Sequence, residues 1–567
     1  MKKIVSSFLL LALASCLFAQ DLHIVTTGDV HGTYFNRTYV DEAPRASLMS
    51  VKWYVDSLRA AVGSENVLLL DAGDCLQGDN ASYYFNYVAV DQPHMYPRIA
   101  SYMGYDVCTV GNHDIEAGHP VYDKVRKELN GLGIQWLAGN AFTDDGGTYF
   151  PEYVLLNKGG RKILVAGYNN ANIDGWLSED LWRGMHHKSL VPLVRRKIKT
   201  LRRQLKPDVV VVVLHSGTGK GDGKSIESQG LDVFKYAKGI DVLVCAHDHQ
   251  PACIYSHNGK SYLINGGARC SNVGHAVLSF DKGKVSSVKG EIKRIDKYAV
   301  DDRMVRAFQP EFEAVKDFTL QPVGNLAIPL ETRDAYVGMC PYIDMLHTVQ
   351  LAASGASISL AAPLTFNGHV SAGQLVYNDM FTIYPFENQL YVLNLTGREI
   401  KKLLEYSYDH WVRYSDGHVL YIKDSPDART GAVKWSFVNR SYNFDSAAGV
   451  DYTVDVTKPF GERVNMVSMA DGTPFDESAT YSVAMTSYRA NGGGSLLTDG
   501  AGIPHARLQQ RIIARYPEIR DLIYKFIRSK ESVEPSQISD RAVLGTWRFV
   551  PEDIAAPLLE NDINLVF

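Results

Sequence analysis

Five apolar runs in the first half of this sequence each end in a short polar cluster, and that recurrence restricts the possible folds more than any other feature. His23–Thr27 leads to Asp29-Val30-His31, Val67–Leu70 to Gly73-Asp74, and Asp106–Val110 to Gly111-Asn112-His113-Asp114. Val209–Leu214 leads to His215-Ser216-Gly217, and Ile240–Ala246 to His247-Asp248-His249. Short apolar runs of this kind read as buried strands, and the amphipathic stretches between them, such as Ala46–Val62 and Pro120–Leu132, read as helices. The alternation predicts a layered α/β domain. Open α/β sheets bind ligands at the carboxyl ends of their strands, so clusters far apart in sequence are expected to converge on one edge. Gly28, Gly73, Gly111 and Gly217 beside them supply tight turns. One Asp-x-His is an ordinary turn. Five clusters at strand ends carry the carboxylate, amide and imidazole donors that a pair of divalent ions requires.

At 567 residues the chain exceeds what one core organises, so at least two domains are expected. The expected division is an export segment over 1–20, a catalytic domain over 21–296, a connecting helix within 297–322 and a second domain over 323–567. Lys2 and Lys3 precede an apolar run, Ile4–Ala19, too short to span a bilayer and suited to a signal peptide, which implies a periplasmic or secreted protein. Release after cleavage near Ala19 is favoured, because the run continues through Leu17 and Phe18. Leu13-Ala14-Ser15-Cys16 also resembles a bacterial lipobox and leaves a lipid anchor on Cys16 open. No later stretch is apolar enough to cross a membrane. The balance of 58 basic against 63 acidic residues gives no field for a nucleic-acid polymer, which leaves a small-molecule substrate. Cys75, Cys108, Cys245, Cys253, Cys270 and Cys340 form no CxxC pattern; buried thiols are expected, with disulfides open. Asp301–Phe318 has helical spacing before Gln321-Pro322. Beyond it, Tyr342–Ala353 and Gly397–Tyr408 read as helices and the runs around Tyr391 and Tyr481 as strands.

The five clusters resemble the signature of the calcineurin-like metallophosphoesterases, D-x-H, G-D, G-N-H-D/E, H and G-H-x-H, with Ala246 in place of the last motif's glycine. In the second half, Tyr384-Pro385-Phe386-Glu387-Asn388, Thr396-Gly397-Arg398-Glu399-Ile400, Ser441-Tyr442-Asn443-Phe444-Asp445, Asp451–Val456 and Ser487–Gly493 resemble the C-terminal domain of the bacterial 5'-nucleotidase and 2',3'-cyclic-nucleotide 2'-phosphodiesterase/3'-nucleotidase family. The implied fold is α/β: a layered metallophosphoesterase domain followed by an α+β substrate domain.

The resemblance implies that Asp29, His31, Asp74 and His249 hold one metal. Asp74 would bridge to a second, held also by Asn112, His215 and His247. Two divalent ions less the charges of Asp29 and Asp74 leave about +2 to attract a phosphate, and can ionise a bound water for in-line attack on phosphorus. Zinc, manganese and iron all suit these donors. The resemblance makes His113 the residue that stabilises transition-state oxygens and protonates the leaving group. Glu116, three positions on, is its expected partner, with Asp114 the rival. Phe386, or else Tyr384, would sandwich a nucleobase with Tyr488, beside the ligand-accessible backbone expected of Gly492-Gly493-Gly494, and Asn388 would hydrogen-bond the ligand. The 5'-nucleotidase branch has N-G-G-G-[IV]-R where this chain has Phe366-Asn367-Gly368-His369, and an aspartate at the place of Gly494. These departures favour the cyclic-nucleotide branch over a 5'-nucleotidase or nucleotide-sugar hydrolase. An inactive nucleotide-binding protein is the alternative of another class, and the complete ligand set argues against it.

Overall fold

The computed structural model describes residues 21–256, 259, 261–426 and 431–567. The expected export segment, Cys16 included, lies outside them. The first half is built on two six-stranded sheets. In one, Leu22–Thr27, Val67–Asp71, Val107–Thr109 and Gln135–Leu137 run parallel, flanked by the antiparallel strands Asn272–Asp281 and Lys284–Arg294. In the other, Arg161–Tyr168, Val209–Leu214, Val242–Cys245 and Tyr262–Asn265 run parallel between two antiparallel edges.

Strand alternation explains how the layers assemble. Ile24, Leu68 and Leu70 share one core with Val209, Val211 and Val213, so these faces meet between the sheets. Val25, Val67 and Leu69 face the helices Leu48–Val62 and His119–Gly131, while Val210 and Val212 face Leu190–Leu205. With apolar residues needed on both faces, the parallel strands become the continuous runs seen in the sequence.

The second half centres on a five-stranded sheet in the order Ser446–Ala448, Ile358–Ala361, Thr480–Thr486, Gln389–Thr396, Ile512–Glu518. Helices Pro341–Ser354 and Ile519–Arg528 bury one face, and Gly397–Trp411, opened by a capping box of Thr396 and Glu399, buries the other. The expected connecting helix is two helices, Asp302–Ala307 and Gln309–Thr319. Pro310 lacks an N–H and is suited to a first turn, so the second helix starts there. Phe308, Phe312 and Val315 are buried in the core of the first half, so the segment is packed rather than a free tether. The six described cysteines are free thiols, and all but Cys253 are buried. Among the described residues no helix is long and apolar enough to cross a membrane.

Candidate active site

The five strand-end clusters meet at one edge of the paired sheets. Asp29, His31 and His249 bring ligand atoms within 4.8 Å of one another, and Asp74, His215 and His247 do the same. His31 Nδ1 donates to the Gln77 carbonyl at 3.0 Å and His215 Nδ1 to the Ala72 carbonyl at 2.7 Å, which turns both Nε2 atoms toward the cluster and leaves that of the neutral His31 a bare lone pair. His31 Nε2 then faces His249 Nε2 at 3.0 Å. His215 Nε2 faces Asp74 Oδ2 at 3.0 Å and Asn112 Oδ1 at 3.0 Å, and His247 Nδ1 lies 2.8 Å from that same amide oxygen. Carboxylate, amide and imidazole atoms gathered this closely in two groups are the donor set that a pair of divalent ions takes.

Protonation follows the same logic. Burial drives His31 well below the usual imidazole range, His249 down to about 4 and His247 down to about 3, so all three are neutral donors. Burial also opposes charge on His215, but Asp74 and Asp29 outweigh it and push its pKa up to about 10. A proton there stands in for the positive charge that the carboxylates demand.

The backbone is strained where the donors emerge. Asp29, His31, Asp74, His247 and His249 all take φ between 49° and 76°, the left-handed region that non-glycine residues avoid. Gly73 turns the chain at φ 97° as expected, but Gly111 acts by close approach: a Cβ there would lie 2.1 Å from Asp74 Oδ1. Ala246 is tolerated because Gly28 lies against it; a Cβ on Gly28 would meet that of Ala246 at 3.1 Å.

His113 lines the cavity beside this cluster, and its Nδ1 lies 2.5 Å from Glu116 Oε2, which also accepts from Gln77 Nε2 at 3.1 Å. Burial opposes charge on His113, yet Asp74 and Glu116 push its pKa up to about 9. Asp114 is neither the partner nor a solvated loop acid. It is fully buried and accepts from the backbone N–H of Asp74, Cys75, Leu76 and Gly111 at 2.7–3.0 Å, holding together the two loops that present Asp74 and Asn112.

A cavity of about 410 Å³ opens from the cluster to the second half of the chain. Asp74, Asn112, His113, His247 and His249 line one wall; Phe386, Asn388, Tyr442 and Tyr488 line the other. Tyr384 does not reach it. Closing the helix Tyr377–Ile383, its ring turns inward to 0% exposure, and its hydroxyl accepts from Asn388 Nδ2 at 3.4 Å, so it backs Asn388 instead of meeting a ligand. The glycines after Tyr488 are also occupied. A Cβ on Gly493 would fall 2.5 Å from the Tyr488 ring, and one on Gly494 2.2 Å from Arg489 Nη1. Arg489 makes a bidentate pair with Asp445 at 2.8 and 2.9 Å, which anchors the turn carrying Tyr488. Phe366 lies outside this cavity, 4.6 Å from Phe567 in an aromatic group.

Several lining residues lack a local sequence signal. Tyr442 lines the cavity, although nothing in Ser441–Asp445 marks it as a site residue. Trp176 stacks on His247 at 5.2 Å, and its indole N–H donates to Glu227 at 3.1 Å. Arg440 adds a cation. They come from loops, where only folding brings them together.

The comparisons with known proteins agree with this geometry. Residues 22–251 match the calcineurin-like phosphoesterase family model, and residues 322–499 match the 5'-nucleotidase C-terminal domain. A 2',3'-cyclic-nucleotide 2'-phosphodiesterase/3'-nucleotidase of Haemophilus influenzae is 25% identical, over 96% of this chain and 91% of its own. A trifunctional nucleotide phosphoesterase of Bacillus subtilis is 23% identical over 91% of this chain, which spans 38% of that longer protein. A solved Staphylococcus aureus structure shares the fold at TM-score 0.76, with 21% identity over 93% of this chain and 99% of its own.

Proposed function

Because this chain belongs to the calcineurin-like phosphoesterases that carry a 5'-nucleotidase C-terminal domain, and is thus a metal-dependent phosphoester hydrolase, we propose that its substrates are phosphate esters of nucleotides. The observation that carries this reading is the two-walled cavity: donors for divalent ions on one side and the aromatic rings of Phe386, Tyr442 and Tyr488 on the other. A phosphate and a base fit these two chemistries at once.

Asp29, His31, Asp74 and His249 would hold one ion and Asp74, Asn112, His215 and His247 the other. Ions held there supply charge for a phosphate and ionise water near neutral pH. His113, oriented by Glu116 through Nδ1, keeps Nε2 for the leaving oxygen as hydrogen-bond donor and general acid. Phe386 and Tyr488, with Tyr442 beside them, offer rings on which a base stacks, an interaction of about 1–3 kcal/mol per base that tolerates different bases. Asn388 is placed to hydrogen-bond the nucleoside.

Within this class we favour 2',3'-cyclic-nucleotide 2'-phosphodiesterase and 3'-nucleotidase activity in an exported protein. Gly494 leaves no room for an acidic side chain between Arg489 and Asn443, which distinguishes this site from the 5'-nucleotidase pattern. Steady-state kinetics of the metal-loaded protein on 2',3'-cyclic AMP, 3'-AMP and 5'-AMP test the assignment. The expected order of kcat/KM puts the first two above 5'-AMP; a preference for 5'-AMP would make it a 5'-nucleotidase.

A further inference from the structure

Five acids line the cavity, Asp74, Glu116, Glu227, Asp248 and Asp445, and four of them are committed elsewhere. Asp74 belongs to the candidate metal cluster, and Glu116 is paired with His113 through Oε2, which also accepts from Gln77. Asp248 accepts from the backbone of Thr218 and Gln250 and from Asn265, at 2.7, 3.1 and 2.8 Å. Asp445 is bound by Arg489.

Glu227 differs. Its Oε1 accepts from Trp176 Nε1 at 3.1 Å and Asn172 Nδ2 at 3.4 Å, while no described hydrogen bond reaches Oε2. A carboxylate has capacity for about four donors, so half of this one is unused on a side chain that lines the cavity. Its position is rigid, because its own carbonyl accepts from Asn170 Nδ2, Ser216 Oγ and Gly217 N–H at 3.1, 2.8 and 3.2 Å. These bonds tie it to the turn after His215, so it is set at a fixed place relative to the candidate metal ligands. A carboxylate repels a phosphate and prefers a hydrogen-bond donor. On a nucleotide, the donors are ribose hydroxyls and exocyclic amines.

We propose that Glu227 is a specificity-determining residue of this site, its Oε2 accepting a hydrogen bond from the nucleoside part of the substrate. The inference rests on the nucleotide reading above. It also assigns selectivity in part to the catalytic half, since Glu227 lies in the phosphoesterase domain while the aromatic clamp lies in the other.

The test uses the whole metal-loaded protein and Glu227→Gln, whose amide oxygen still accepts from Trp176 but whose nitrogen replaces the free acceptor. Substrates are 3'-AMP, its 2'-deoxy analogue, the analogue whose purine lacks the amine, and bis(4-nitrophenyl) phosphate, which has no nucleoside. A charged hydrogen bond of this type corresponds to about a tenfold to hundredfold change. The expected result is a loss of that size in kcat/KM on 3'-AMP with the aryl diester within about twofold of wild type. One of the two analogues, naming the donor, should be poor for wild type and no worse than 3'-AMP for the variant. Equal losses on 3'-AMP and the aryl diester would overturn the proposal, because Glu227 would then act by holding Trp176 on His247. So would an unchanged 3'-AMP reaction. Wild-type protein that cleaves the aryl diester and no nucleotide would instead refute the nucleotide reading itself.

Discussion

His113 and Tyr384 show how far a residue's type determines its role. A histidine among metal donors could be another donor, but His113 sits three residues before Glu116 in one helical turn, Asn112–Glu116, so its Nδ1 is engaged and its Nε2 is directed at the cavity. His113→Ala should therefore leave metal content unchanged and cut kcat. The loss should be larger for ribose esters, whose leaving oxygen needs a proton, than for aryl esters, which depart unaided. Metal analysis alongside kinetics on both classes checks this; equal losses would reduce His113 to an electrostatic role. Phe386 is the ring the sequence favours for the base, with Tyr384 as its alternative. The bend that closes the preceding helix buries Tyr384 and exposes Phe386 to the cavity.

At the scale of elements, the strands of the first half were legible because each is apolar on both faces and stops where polar groups are needed. The loops after them were legible only as candidates. Asp114 could be placed only as a rival of Glu116, because its partners, the N–H groups of Asp74, Cys75 and Leu76, lie about forty positions away and meet it only once both strands are paired. Removing that carboxylate strands buried donors, at about 1–3 kcal/mol each. Asp114→Ala should accordingly lower the melting temperature and weaken metal retention together, since it holds the turns of Asp74 and Asn112. A melting curve and metal analysis of one preparation decide this; an unchanged melting temperature would mean that the loop is held by other bonds. The left-handed φ of five candidate ligands was equally invisible beforehand, because no sequence pattern marks a non-glycine residue as strained.

In the whole molecule, the site exists because two halves meet. Asn491 Nδ2 donates to the Trp176 carbonyl at 2.9 Å, Tyr87 to Glu387 at 3.1 Å, and the buried Arg520 lies 5.1 Å over the Tyr83 ring, all across the join. The motifs identified each half, but Trp176, Glu227 and Arg440 reach the cavity from loops, so their place in the site follows from docking and not from local sequence. The central claim is that converging ligand atoms in the first half hold two divalent ions that act on the phosphate of a nucleotide gripped by the second. Its most direct measurement is a titration of metal-stripped protein with zinc or manganese, following bound metal, melting temperature and hydrolysis of 2',3'-cyclic AMP on the same samples. Binding to the native state alone should raise the melting temperature, and activity should grow to a plateau near two equivalents. Full activity in the stripped protein, or a plateau of bound metal with no nucleotide turnover, would contradict the account.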